Sequence, residues 1–271
     1  MAELDDRARA VRAAIMDQVR GEGTVPTMAE LCTRFGLTEL ELAATMRELE
    51  GAICVACQDE EHAGSFVFQD EPLASPQPPV GELVYARPFA TFANHYRITV
   101  DGEQRWFAEC AVEACAISGQ FPGSEVIVDS LCRQTKQPVR LVGRDGVLVD
   151  YEPKTLRVHL GYPMREMPHR VVGWCDYNSF FASESAADQW RSEHPEIKGI
   201  TRSPEQMSHL ITELLGKGRL DYDYQPTFGL LTIARNLRRF GLYGPFWLPT
   251  PTMARDWRRR GLGNFFRFRL S

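Results

Sequence analysis

The segment Pro72-Leu-Ala-Ser-Pro-Gln-Pro-Pro79 constrains this chain most. Proline fixes φ, lacks a backbone donor and pushes the residue before it out of the helical region. Prolines at 72, 76, 78 and 79 exclude both a helix and a central strand, so the run reads as a linker, taken here as 72–83. On its N-terminal side apolar residues recur at helical spacing. Ala8, Val11, Ile15 and Val19 stand three and four apart, which predicts a helix over 5–20 that ends at Gly21 and Gly23. Thr27 with Glu30 matches a capping box for a short helix to Phe35. Gly36 breaks that helix, and 38–48 forms another. The pair predicts a winged-helix-like unit over 1–71, with 52–57 and 65–69 as the strands of its wing. Reading DNA would require a basic second helix. The stretch Thr38 to Glu48 carries Glu39, Glu41 and Glu48 instead, so DNA binding by this unit is not supported.

Beyond the linker the period changes to two. Phe92 to Val100 alternates like a strand, and Asp101-Gly102 supplies a hairpin turn into 104–107. Further strands are expected at 125–128, 139–142, 147–151 and 155–160, with a turn at Arg144-Asp-Gly146. The apolar stretch Val171–Ser183 is expected to close the sheet. Helices are expected over 184–194 and 203–215, the second with Ser203 as cap and Pro204 at its first position. The fold class is therefore α+β: a small mixed or antiparallel sheet domain over 84–215 with flanking helices.

Chemistry concentrates in Arg105-Trp-Phe-Ala-Glu-Cys-Ala-Val-Glu-Ala-Cys-Ala-Ile117. A thiolate is a soft nucleophile and metal ligand, and a carboxyl group can hold or give a proton. Cys110 and Glu113, three residues apart, share one helical face. Cys115, about 140° further round at 3.6 residues per turn, belongs to the core. On these residues alone ordinary buried cysteines remain the competing interpretation. Cys54 and Cys57 would face opposite sides of a strand, and His62 alone does not complete a zinc set, so that pair reads as incidental. No histidine pair has metal-ligand spacing, and neither a Gly-rich phosphate loop nor a GxSxG elbow is present. With no apolar run near a membrane span and no signal peptide, the seven cysteines read as reduced thiols in the cytoplasm.

The order of four segments resembles the organomercurial (alkylmercury) lyase family. They are His95-Tyr-Arg-Ile-Thr-Val before a hairpin, Cys110-Ala-Val-Glu113, Cys132-Arg-Gln-Thr-Lys-Gln-Pro-Val, and Cys175 five residues ahead of Phe180-Phe-Ala-Ser. The helix Ala186-Ala-Asp-Gln-Trp190 adds to them, and the likeness runs from about Ala8 to Leu215. The resemblance implies cleavage of a carbon–mercury bond by two cysteines and an aspartate, giving a hydrocarbon and Hg(II). It places Cys110 and Cys175 as the two thiol ligands and Glu113 where the family carries aspartate. It makes Cys132 a structural cysteine. Asp176 either supplies a second carboxylate or is a solvated or paired acid. No cofactor is implied; Hg(II) is substrate and product, and a cellular thiol is the co-substrate. Two alternatives stay open: a soft-metal or metalloid binder on the same scaffold, and a lyase for another carbon–heteroatom bond.

From Gly216 to Ser271 the chain leaves this pattern, and 11 Lys and Arg stand against 3 Asp, although the whole chain carries a net charge of −5. Arginines interleaved with aromatics, as in Trp257-Arg-Arg-Arg and Phe265-Phe-Arg-Phe-Arg, suit an acidic protein partner, nucleic acid or a membrane surface. Packing on the acidic body of the protein is the alternative.

Overall fold

The computed structural model describes residues 4–52, 54–60, 77–163, 175, 177–212 and 238–239. The front of the chain is helical: α1 (Asp6–Glu22), α2 (Met28–Phe35) and α3 (Glu39–Gly51). Each starts where a side chain satisfies an orphan backbone donor. Asp5 accepts from the Ala8 amide, and Thr27 and Thr38 form full capping boxes with Glu30 and Glu41.

An antiparallel sheet of eight strands follows, in the order β1 (Val55–Cys57), β2 (Leu83–Ala86), β3 (Phe89–Ala90), β5 (Glu103–Ala108), β4 (Arg97–Val100), β6 (Glu125–Leu131), β7 (Pro138–Arg144), β8 (Val147–Glu152). The expected wing strand is thus β1, and it pairs with β2 across the proline-rich segment, Ala56 opposite Tyr85. The other expected wing strand, 65–69, lies outside the described residues. Helices and sheet share one core in which Leu31, Leu42, Leu49, Tyr85, Phe89, Tyr96 and Ile98 are almost fully buried. Trp106 of β5 also donates its indole N–H to the carbonyl of Val19 in α1 at 2.6 Å.

Strand β4 begins later than alternation predicts. Asn94 accepts from the Tyr96 amide at 2.8 Å and donates to the Ala108 carbonyl at 2.9 Å, a side-chain turn that replaces ladder pairing. Asp101 and Gly102 adopt φ of 46° and 89°, and Asp145 and Gly146 φ of 52° and 78°, the left-handed pairs that tight hairpins require.

A second antiparallel sheet of three strands, β10 (Ser179–Phe181), β9 (Arg157–Pro163) and β11 (Ile197–Arg202), stands apart from the first. The stretch expected to close the large sheet therefore contributes β10 to the small one, paired with β9. Helix α5 (Glu184–Glu193) is capped by Ser183, and α6 (Pro204–Ile211) by Ser203 in a capping box with Gln206. Of the basic extension the described residues include Arg238 and Arg239, both exposed. Arg239 lines an open cavity of about 580 Å³ with Arg157, Arg202 and His209.

Candidate functional site

Strand β5 runs from the surface hairpin into the core and delivers Glu109 and Cys110 just past its inner end. The amide of Glu109 donates to the Pro88 carbonyl at 2.9 Å, which fixes the strand end. Cys110 is the residue before a short helix, α4 (Ala111–Ala114), with extended backbone at φ −161° and ψ 176°. Glu113 is therefore in the first turn of that helix.

Cys175 reaches the same place from the far side of the chain. The amide of Asn178 donates to the Cys175 carbonyl at 3.1 Å. The Asn178 side chain accepts from the Gly161 amide at 3.1 Å and donates to Cys110 Sγ at 3.5 Å. Its carbonyl accepts from the Tyr96 hydroxyl at 3.0 Å and from the Ala111 amide at 3.5 Å. One asparagine thus ties β9, the start of α4 and the first thiol together.

The two thiols meet in the buried interior. Cys175 is hydrogen-bonded with Cys110, and its Sγ also donates to Glu109 Oε1 at 3.1 Å. Cys110 is 1% exposed, Cys175 7% and Glu109 0%. Across the carboxylate lies Arg87, whose Nε reaches Oε1 at 2.9 Å and Oε2 at 2.8 Å, with Nη2 2.8 Å from Oε1. Burial works against the Arg87 cation, but the charge and hydrogen bonds of Glu109 overcome it and hold the guanidinium above its ordinary range. The hydrogen bond with Cys110, then burial and the charges of Cys110 and Glu109, hold the Cys175 thiol well above its usual value despite the opposing pull of Arg87. These neighbours favour the neutral thiol at Cys175.

Of the residues expected from sequence, the structure brings Cys110 and Cys175 together. Glu113 is buried on α4, and its charge is felt by Arg87 and Cys115. Among the described residues, Glu109 is a carboxylate in hydrogen-bond contact with a thiol. Asp176 lies outside the described residues. Cys115 is a core residue: its thiol donates to the Ala111 carbonyl at 3.2 Å, and burial, then the charges of Cys110, Glu113 and Glu205, raise it well above the ordinary thiol range. Cys132 is fully buried and accepts from the Thr135 amide at 3.4 Å, shaping the turn between β6 and β7. Spacing does not single out Glu109, Arg87 or Asn178. The only sequence hint for Glu109 is that it adjoins Cys110.

A buried pair of thiols beside an ion-paired carboxylate, on an α+β scaffold, defines a centre suited to a soft electrophile such as a thiophilic metal. Residues 89–216 match the family model described as alkylmercury lyase. The alkylmercury lyase of Bacillus cereus is 32% identical over 100 residues, covering 37% of this chain and 44% of that protein. That of Staphylococcus epidermidis is 35% identical over 101 residues, 37% of this chain and 45% of its own. The matched segment spans less than half the length of these relatives. A solved structure described as the mercury-bound form of MerB2 is similar in fold, with a TM-score of 0.59 over 82% of this chain and 94% of that one, at 19% identity. Over residues 89–216 the chain is similar to the alkylmercury lyase family.

Proposed function

We propose that the protein cleaves the carbon–mercury bond of an organomercurial, with Cys110 and Cys175 as the sulfur ligands of mercury. The observation that carries this reading is the contact between two thiols 65 positions apart in the sequence, buried beside a carboxylate. Sulfur ligands select a soft metal, and coordination drives off the thiol proton. Two sulfurs on mercury weaken its bond to carbon, and a carboxylic acid protonates the departing carbon. The resemblance points to Glu113 for that acid, with Asp176 as a possible second carboxylate. The contact with Cys175 is made by Glu109. The products are a hydrocarbon and Hg(II) held by both sulfurs, released to a cellular thiol as co-substrate. No cofactor takes part in this scheme. All seven cysteines are free thiols, in keeping with a reducing cytoplasm and a role in detoxification.

The test is single-turnover cleavage of an organomercurial in excess thiol, following hydrocarbon release from wild type, Cys110→Ser and Cys175→Ser. Release by wild type and its loss in both variants is the expected result. Stoichiometric binding of Hg(II) without any hydrocarbon from wild type overturns cleavage and leaves a soft-metal binder.

A further inference from the structure

We infer that Glu109 is the catalytic proton shuttle of this site and that Arg87 is its positioning residue. The inference rests on the carbon–mercury cleavage proposed above. Its geometry is independent of it: Glu109 Oε1 stands 3.1 Å from Cys175 Sγ, and three contacts of 2.8 to 2.9 Å fix the carboxylate on Arg87.

The steps balance without any redox change. Mercury carrying its organic group bonds to the sulfur of Cys110, and the Cys110 thiol proton leaves with the displaced ligand of mercury. As the sulfur of Cys175 bonds to the metal, its proton passes to Oε1 of Glu109 along the existing hydrogen bond. The carboxylic acid then gives that proton to the carbon attached to mercury. The electron pair of the carbon–mercury bond becomes the new carbon–hydrogen bond, and the hydrocarbon leaves. Hg(II) stays on two thiolates, and Glu109 returns to the carboxylate paired with Arg87. The proton delivered to carbon is thus the one that Cys175 had to lose.

Arg87 has two effects on this path. It holds the carboxylate with Oε1 toward Cys175, and it places a buried cation against the oxygens that accept the proton when the substrate arrives. Mercury coordination then supplies the drive for transfer, because a metal-bound thiol gives up its proton. Glu113 belongs to the neighbouring helical turn, and its charge acts on Arg87 and Cys115.

The experiment compares single-turnover hydrocarbon release by Glu109→Gln, Glu109→Asp and Glu113→Gln, using methylmercury as probe. Binding of Hg(II) is read in parallel from the sulfur-to-mercury absorption band. Loss of a positioned acid slows release ~100-fold or more. The expected result is such a loss in Glu109→Gln with the absorption band intact, at least tenfold beyond that of Glu113→Gln, and partial recovery in Glu109→Asp. Where Glu109→Gln does not fold because Arg87 is left unpaired, the double variant Arg87→Met/Glu109→Gln removes both charges and must show the same loss. Hydrocarbon release at the wild-type rate by either Gln variant of Glu109, or a larger loss in Glu113→Gln, overturns the assignment and leaves the lyase reading intact. A wild type that binds Hg(II) and releases nothing overturns the lyase reading itself.

Discussion

Oε1 of Glu109 accepts a hydrogen bond from Cys175 Sγ at 3.1 Å while facing Nη2 of Arg87 at 2.8 Å, so a single oxygen links the second thiol to a buried cation. Arg87 is 6% exposed and Glu109 0%. A buried pair of this kind is held against the desolvation of both ions, and removing one partner leaves an uncompensated charge.

That asymmetry sets the first prediction. Arg87→Met should destabilise the fold by about 3 to 5 kcal/mol, as should Glu109→Gln. The neutral double variant Arg87→Met/Glu109→Gln should fall well short of the sum of the single losses. Urea unfolding of the four proteins gives the cycle. Strict additivity would mean that the two charges are not coupled as the geometry states.

Asn178 makes a separate prediction because its side chain serves both structure and site. Asn178→Ala orphans the Gly161 amide, at about 1 to 3 kcal/mol for a buried donor, and frees Cys110 Sγ from its only side-chain donor among the described residues apart from Cys175. A shift of ~1 Å in the thiol lowers the rate on the order of a hundredfold. Asn178→Asp retains the acceptor for Gly161 but buries a further carboxylate beside Cys110, so it should recover neither full stability nor hydrocarbon release. Recovery of both would show that the contact with Cys110 has no part in catalysis.

The tie between α1 and β5 should be measurable on its own. Trp106 packs edge-on against Phe121 at 5.0 Å and donates to Val19. Trp106→Phe keeps a ring but removes the donor, and the expected loss is about 1 kcal/mol, because the Val19 carbonyl still accepts from the Gly23 amide at 2.9 Å. A urea midpoint equal to that of wild type would rule out a contribution from this bond.

What the sequence reveals follows from how local each cause is. Capping at Thr27, Thr38 and Ser203 is decided within three residues, and all three helices start where the boxes stand. Asp101-Gly102 is likewise a local signal. Alternation over Phe92–Tyr96 misleads because Asn94 bonds to the backbone in place of a neighbouring strand. Strand β11 escapes notice because Gly199 interrupts a short alternating run; there a Cβ would approach the Leu160 carbonyl to 2.3 Å. Meeting of Cys110 with Cys175 is implied only by family resemblance. The pairing of Glu109 with Arg87 joins residues 22 apart through strand register, which no spacing rule reports.

The last prediction concerns His159, fully buried in β9 with its Nδ1 3.2 Å from the Thr201 hydroxyl. Its Nε2 has no hydrogen-bond partner among the described residues, and a Cβ at Gly161 would lie 2.6 Å from it. Burial, then the cations Arg191 and Arg133, lower its pKa from 6.5 to about 4, so the folded protein holds the ring neutral. The unfolded chain takes up a proton below about pH 6.5 that the folded chain refuses until about pH 4. Stability from this group is therefore complete above 6.5, declines as the pH falls, and levels off below 4, for a total of about 3 kcal/mol. Urea unfolding at intervals across that range should show a shallower decline in His159→Gln than in wild type. Parallel curves would mean that the ring titrates alike in both states. Gly161→Ala, which drives a methyl group against the same ring, should cost about 1 to 3 kcal/mol at any pH.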